Sequence, residues 1–300
     1  MADFPVSISP ESVVLAMLLA CVQTDVTFAD VPANLQRVLS WIEKAAERGA
    51  DLVVLPECML SGYAYDSRAQ AMPHALPIDD SLFTQLAQVA ATHNLHLTLG
   101  FLEKDASRLF NASALIGPSG VVGHYRKIHL PHLGIDRFVD RGGFPYAVHS
   151  APTRDGAEVK IGLAICYDCS FPEPMRVLAL AGADVIALST NWPNGAAHTA
   201  EIVPPARSME NHLFFVAANR VGEENGFGFC GCSSICGPDG VVLASTKSDS
   251  ETILFAEIDP AQARNKRIER VPGKHVIHRF EDRRPEFYGD LVVTKKRDAE

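Results

Sequence analysis

Two phrases in this chain of 300 residues occur twice and in the same order. GADLVVLPE at 49–57 is answered by GADVIALSTN at 182–191, and SALIGPSGVVG at 113–123 by SICGPDGVVLA at 234–244. Each GAD phrase follows an amphipathic stretch, NLQRVLSWIEKAAER or EPMRVLALA, whose apolar residues fall at helical spacing. Before each of those lies an apolar run, VLAMLLACVQ or VKIGLAICYD. After each GAD strand come a further helical stretch, then LHLTLGF or LFFVAANR, then two β-rich runs around Pro-Ser-Gly or Pro-Asp-Gly. Pro, a small polar residue and Gly are the chemistry of a tight hairpin turn. Each half therefore reads strand, helix, strand, helix, strand, hairpin.

Two copies are too few for a solenoid, and alternating strands and helices imply helix-covered sheets. If the halves pack sheet to sheet, the result is an α/β fold: a four-layer α-β-β-α sandwich built from two similar halves. We expect one domain over 1–300, with 261–300 an extended C-terminal tail. Ligands in such units gather where strands end. Glu57, Cys166 and Asn191 all fall at such ends.

With 47% hydrophobic residues the chain can bury a large core. Its formal net charge of -9 argues against nucleic acid or an anionic membrane as partner and leaves small molecules or other proteins. The tail is locally basic, but Glu269, Glu281 and Asp282 interrupt the charge, so a surface or subunit-contact segment is expected. The seven cysteines are odd in number and sit mostly inside apolar runs, which fits a reducing cytoplasm. VVLAMLLAC looks like a lipoprotein cleavage pattern before Cys21. The segment before it has Asp3 and Glu11 and no Lys or Arg, so a buried first strand is expected instead. No apolar run is long enough to span a bilayer.

ICYDCSFPE, at 165–173, holds two cysteines in C-x-x-C spacing. Cys166 follows the apolar KIGLAI, so a strand would deliver its sulfur to a sheet edge, where the turn into a helix brings backbone N–H groups near the thiol. From this segment alone an inert buried cysteine and a nucleophile are both tenable. A cysteine nucleophile needs a proton acceptor and charge stabilisation. Glu57 is oddly placed for a carboxylate without a buried partner or a chemical task. Lys127, in YRKIHLP, follows the first hairpin, and its neighbour Arg126 is expected to be the solvated one of the pair.

These blocks carry a resemblance. LPE with Glu57, YRKIHLP with Lys127, and CYDCSFPEPMRVLALAGADVIALSTNWP with Cys166 look like the three signature blocks of the nitrilase superfamily of carbon-nitrogen hydrolases, in the right order. ARSMENHLFFVAANRVG and the closing RRPEFYG are similar too, and the match runs from about residue 13 to 289. The superfamily's α-β-β-α sandwich agrees with the repeat.

The resemblance implies that Cys166 attacks the substrate carbon and Glu57 moves the proton. Lys127 and the backbone N–H of Tyr167 would hold the oxyanion, and water would release a thioester, with no metal or organic cofactor. It also implies a homodimer or larger assembly. Many members carry a second glutamate after the lysine; the matching position here is Asp136, shorter by one methylene, which the resemblance implies as an auxiliary acid. Arg141, Gly142 and Gly143 stand where Pro-Gly-Asp is common. Nitrilases proper more often follow the cysteine with Trp-Glu, whereas this chain has Tyr167 and Asp168, so a small amide is favoured. An N-carbamoyl compound giving carbon dioxide and ammonia, or a nitrile, remains an alternative. A catalytically silent binding protein ranks lower, because Glu57, Lys127 and Cys166 are all present.

Other residues have plainer readings. Cys230, Cys232 and Cys236, with His124, His129 and His132, raise the question of zinc, but a second Cys knuckle is absent and no metal is expected. The strand period would point Cys230 and Cys232 to one face. His129 reads as a hydrogen-bonded loop residue. Trp192 and Pro193 could wall the pocket or simply pack. Tyr63 could line the substrate side or sit in an exposed loop. Glu173 reads as a helix-start carboxylate paired with Arg176.

Overall fold

The computed structural model describes residues 16–293. Asp3 and Glu11 lie outside the described residues. The first half supplies β1 (Met17–Gln23), α1 (Val31–Glu47), β2 (Leu52–Val54), a short α2 (Arg68–Ala71), α3 (Ser81–His93), β3 (His96–Asp105), β4 (Arg108–Gly117) and β5 (Gly120–Arg126). After β6 (Val148–Ser150) the second half follows: β7 (Lys160–Ile165), α4 (Pro172–Leu180), β8 (Val185–Thr190), α5 (Ala197–Asn211) and β9 (Phe214–Asn219). A small hairpin of β10 (Glu223–Glu224) and β11 (Phe227–Gly228) precedes β12 (Ser234–Cys236), β13 (Val242–Ser245) and β14 (Thr252–Ile258).

The strands form two six-stranded sheets, ordered β14-β1-β2-β3-β4-β5 and β13-β12-β9-β8-β7-β6. The halves match strand for strand, β1 to β5 against β7, β8, β9, β12 and β13, with β14 and β6 added beside the first strand of each. In both sheets the first three strands run parallel and the hairpin strands antiparallel.

The GAD repeat has a local physical cause. Gly49 and Gly182 end their helices with φ of +82° and +92°, a conformation that costs a side-chain-bearing residue and not glycine. The aspartates then tie strands together. Asp51 Oδ2 accepts the N–H of Leu18 and Asp184 Oδ2 that of Lys160, while the Asp51 and Asp184 amides donate to the carbonyls of Leu18 and Lys160. A carboxylate that takes a strand's first amide fixes that strand's register against its neighbour.

Alternation along β1 assigns the layers. Met17, Leu19 and Cys21 join Leu163, Ile165 and Val216 in the core between the sheets, whereas Ala20 and Val22 join Val38, Ile42 and Leu86 beneath α1 and α3. Helices α4 and α5 cover the second sheet. The expected sandwich of two similar halves is what forms.

Two expectations fail here. The segment from 261 is not extended throughout: after α6 (Pro260–Arg264) it forms a hairpin of β15 (Arg267–Val271) and β16 (His275–His278). Nor do Cys230 and Cys232 lie on a strand, because β12 begins only at Ser234 and Cys232 has φ +56°, which breaks the period that would align them. Among the described residues no helix is long and apolar enough to cross a membrane.

Candidate active site

The nucleophile candidate sits on a sharp elbow. Cys166 directly follows β7 and has φ +44°, a left-handed conformation costing a non-glycine residue roughly 1 kcal/mol. It opens a 3-10 turn over Cys166–Ser170, whose first amides, including that of Tyr167, have no acceptor within the turn. Asp168, fully buried, clamps the elbow. Its Oδ2 accepts Ile165 N–H at 3.0 Å and Tyr125 O–H at 2.8 Å, and its Oδ1 lies 2.8 Å from His129 Nδ1.

Glu57 lies three residues past β2, and the loop is stitched on both sides. Leu55 N–H donates to Thr98 O and Met59 N–H to Gly100 O. From the opposite sheet, Ser189 Oγ donates to Leu55 O at 2.7 Å and Asn191 Nδ2 to Glu57 O at 2.9 Å. The loop lies so close to β3 that a Cβ on Gly100 would stand 2.5 to 2.7 Å from Pro56 O, Glu57 Cα and Cys58 N. Glu57 is thus set by the contact between the two sheets.

Lys127 follows β5, where its amide donates to Asn111 O. Its side chain is fully buried, with Nζ 2.7 Å from Glu57 Oε1 and 2.6 Å from Asp136 Oδ2. Asn111, in the middle of β4, donates from Nδ2 to Glu57 Oε1 at 2.6 Å and to Asp136 Oδ1 at 2.9 Å. Tyr63 donates to Asp136 Oδ2 at 2.8 Å. Glu57 Oε2 is buried with no hydrogen-bond partner among the described residues. Two carboxylates, one ammonium, one amide and one phenol therefore form a single buried cluster.

The electrostatics follow from burial. Desolvation pushes the Glu57 carboxyl up, Lys127 opposes this, and the like charge of Asp136 reinforces it. Burial works against the Lys127 charge, yet Asp136, Glu57 and Cys166 together hold it well above the usual lysine range. Burial, then Glu57, pushes the Cys166 thiol up to about 12, against the lowering effect of Lys127. A thiol so placed stays protonated until a base takes its proton.

Glu57, Lys127, Asp136 and Cys166 thus belong to one electrostatic unit. Tyr63 is buried and orients Asp136, so the exposed-loop reading fails. Asn191 holds the Glu57 carbonyl. Trp192 is buried in the core, its amide donating to Asn219 Oδ1, which favours packing over pocket wall. Tyr167 is 38% exposed, its ring edge-on to Phe171. Cys169 is buried and free, with its thiol raised well above the usual range by burial. His129 is the hydrogen-bonded loop residue expected.

Arg126 is not the solvated residue expected: from β5 its guanidinium reaches across β4 and grips buried Glu103, near the end of β3, through Nε and Nη2. Glu173 is exposed, and Arg176 instead donates to Glu210 O at 2.7 Å. Sequence reasoning missed Asn111, Asp168 and Glu224. Glu224 pairs with fully buried Arg220, and its Oε1 accepts the Tyr63 and Ala64 amides at 2.6 Å each, which positions Tyr63. Glu224 lies just beyond the ANRVG block, whose charged Arg220 in an apolar context was the available signal.

Comparison with known proteins shows what the chain as a whole is similar to. A family profile described as carbon-nitrogen hydrolase matches residues 18–268. A protein named nitrilase from Pyrococcus abyssi is 36% identical over 271 residues, covering 90% of this chain and 98% of that one. An (R)-stereoselective amidase from a Pseudomonas species is 34% identical over 233 residues, covering 77% and 80%. Among solved structures, an amidase from a Nesterenkonia species superposes with a TM-score of 0.75 at 23% identity, over 92% of this chain and 96% of that one.

Proposed function

This chain belongs to the carbon-nitrogen hydrolase family, and on that premise we propose that it hydrolyses a small amide through a thioester on Cys166. The observation that carries the reading is the asymmetry of Glu57. Oε1 accepts from Lys127 and Asn111, while buried Oε2 has no partner among the described residues and is the oxygen available to exchange a proton.

In the first step Oε2 takes the Cys166 proton as Sγ attacks the amide carbon. The carbonyl π electrons move to oxygen, toward the third Nζ proton of Lys127 and the Tyr167 amide. Collapse of the tetrahedral species breaks the C–N bond, and the proton on Glu57 passes to the departing nitrogen as ammonia or an amine leaves. Water then attacks the thioester, giving one proton to Glu57. Breakdown expels the thiolate, which recovers the proton, and the carboxylic acid departs. A raised Glu57 pKa suits a group that must be base and acid in turn. Asp136 keeps Lys127 cationic in a desolvated site.

A nitrile substrate is the second reading, favoured by the Pyrococcus abyssi relative's name. Ammonia release from a panel of small amides, ureido acids and nitriles separates the cases. Amides turning over fastest supports the proposal, nitriles doing so favours the second reading, and carbon dioxide accompanying ammonia identifies a carbamoyl substrate. Full turnover by Cys166→Ala would overturn the thioester route.

A further inference from the structure

We propose that Asn111 is a positioning residue that divides the labour between the two oxygens of Glu57, an inference that rests on the Glu57 base assigned above. Its orientation is fixed by chemistry. Nδ2 lies 2.6 Å from Glu57 Oε1 and 2.9 Å from Asp136 Oδ1, both acceptors when ionised, so the NH2 group must face them. On the other side Oδ1 accepts the buried Cys58 thiol at 3.6 Å, which opposes a flip of the amide.

The amide spends both of its protons in the site. One goes to each carboxylate, offsetting repulsion between two anions that share a single ammonium. Because Oε1 then accepts from Nζ and from Nδ2, a proton on Glu57 sits on Oε2, the oxygen free to meet sulfur and substrate nitrogen. Removing the amide removes a donor to the charged form, which raises the Glu57 pKa. It also frees Oε1 to carry the proton and to rotate away from the thiol. The backbone of Asn111 contributes separately, accepting the Lys127 amide at 2.8 Å, and that contact survives side-chain substitution.

Asn111→Leu keeps the approximate shape and deletes both donors. The account expects kcat to fall on the order of ten- to a hundredfold, the worth of one hydrogen bond to a charged group, with KM changed much less. It expects the acidic limb of the kcat/KM profile to move to higher pH. Asn111→Ser retains one donor and recovers part of the rate and part of the limb, and it carries the test if the leucine variant does not fold. An unmoved acidic limb in a folded variant, or equal losses in kcat and KM with the pH profile intact, would overturn the proposal. An acyl adduct on Cys166 in the same preparation keeps its failure separate from failure of the thioester route.

Discussion

Replacing Lys127 by Met tests whether the buried cluster is held together by charge. The substitution nearly preserves side-chain volume but removes the only cation in contact with Glu57 and Asp136 among the described residues. Both carboxylates then lie in a low dielectric without a counter-ion, and the folded chain must bind about one more proton than wild type to restore the local charge. Binding that proton costs about 1.4 kcal/mol per pH unit above an ordinary glutamate pKa of roughly 4.3, hence about 4 kcal/mol at pH 7. The known cost of stripping one partner from a buried pair, about 3–5 kcal/mol, is the same size.

The sign is definite. Burial already raises the Glu57 carboxyl, and the variant lacks the lysine that opposed that rise, so the destabilisation is smallest near pH 4–5 and grows as pH rises. The stability Lys127 itself contributes is lost only above an ordinary lysine pKa of about 10.4, outside this window. At about 2–4 °C per kcal/mol, the variant's Tm should lie roughly 8–16 °C below wild type at pH 7 and approach it near pH 5, measured by calorimetry. Activity should be lost throughout. A Tm difference independent of pH would refute the charge argument, and a variant as stable as wild type at pH 8 would refute the burial argument.

Other outcomes follow from single contacts. Gly100→Ala should displace the Glu57 loop, since its Cβ meets backbone at 2.5 Å; thermal unfolding should show a loss of about 1–3 kcal/mol, with a fall in kcat. Asp168→Leu leaves the Ile165 amide and the Tyr125 hydroxyl without the carboxylate they donate to; about 2 kcal/mol of stability and at least tenfold in kcat should go, read by denaturant titration and initial rates. Alkylation of Cys166 by iodoacetamide should keep accelerating past pH 9 toward its pKa of about 12. In Glu57→Gln the limb should move to lower pH, because burial still raises the thiol but the carboxylate that added to it is gone.

The layers were legible because the sequence repeats the residues that cause them. A glycine that ends a helix and an aspartate that takes an amide at the start of the preceding strand recur in GAD, and local chemistry of that kind is visible in one dimension. Glu57, Lys127 and Cys166 were legible because each is out of place: a carboxylate after an apolar strand, a lysine after a hairpin, a thiol at a strand's end. Asn111 was not. Inside RLFNASALIG it is one polar residue in a strand, and its meaning depends on β4 crossing beneath both Glu57 and Asp136. Arg126 was misjudged for the same reason, since its partner Glu103 is 23 residues away on β3, two strands across the sheet with β4 between them. Asp168 is close in sequence to Cys166, yet two of its partners, Tyr125 and His129, come from the other half.

The thioester route is tested most directly by intact and peptide mass spectrometry after mixing the protein with a substrate amide and quenching in acid. The substrate's acyl mass, without its nitrogen, should appear on the peptide carrying Cys166, located on that sulfur by fragmentation and absent from Cys166→Ala. An adduct on Cys169 or Cys58 instead, or turnover at the wild-type rate in Cys166→Ala, would contradict it.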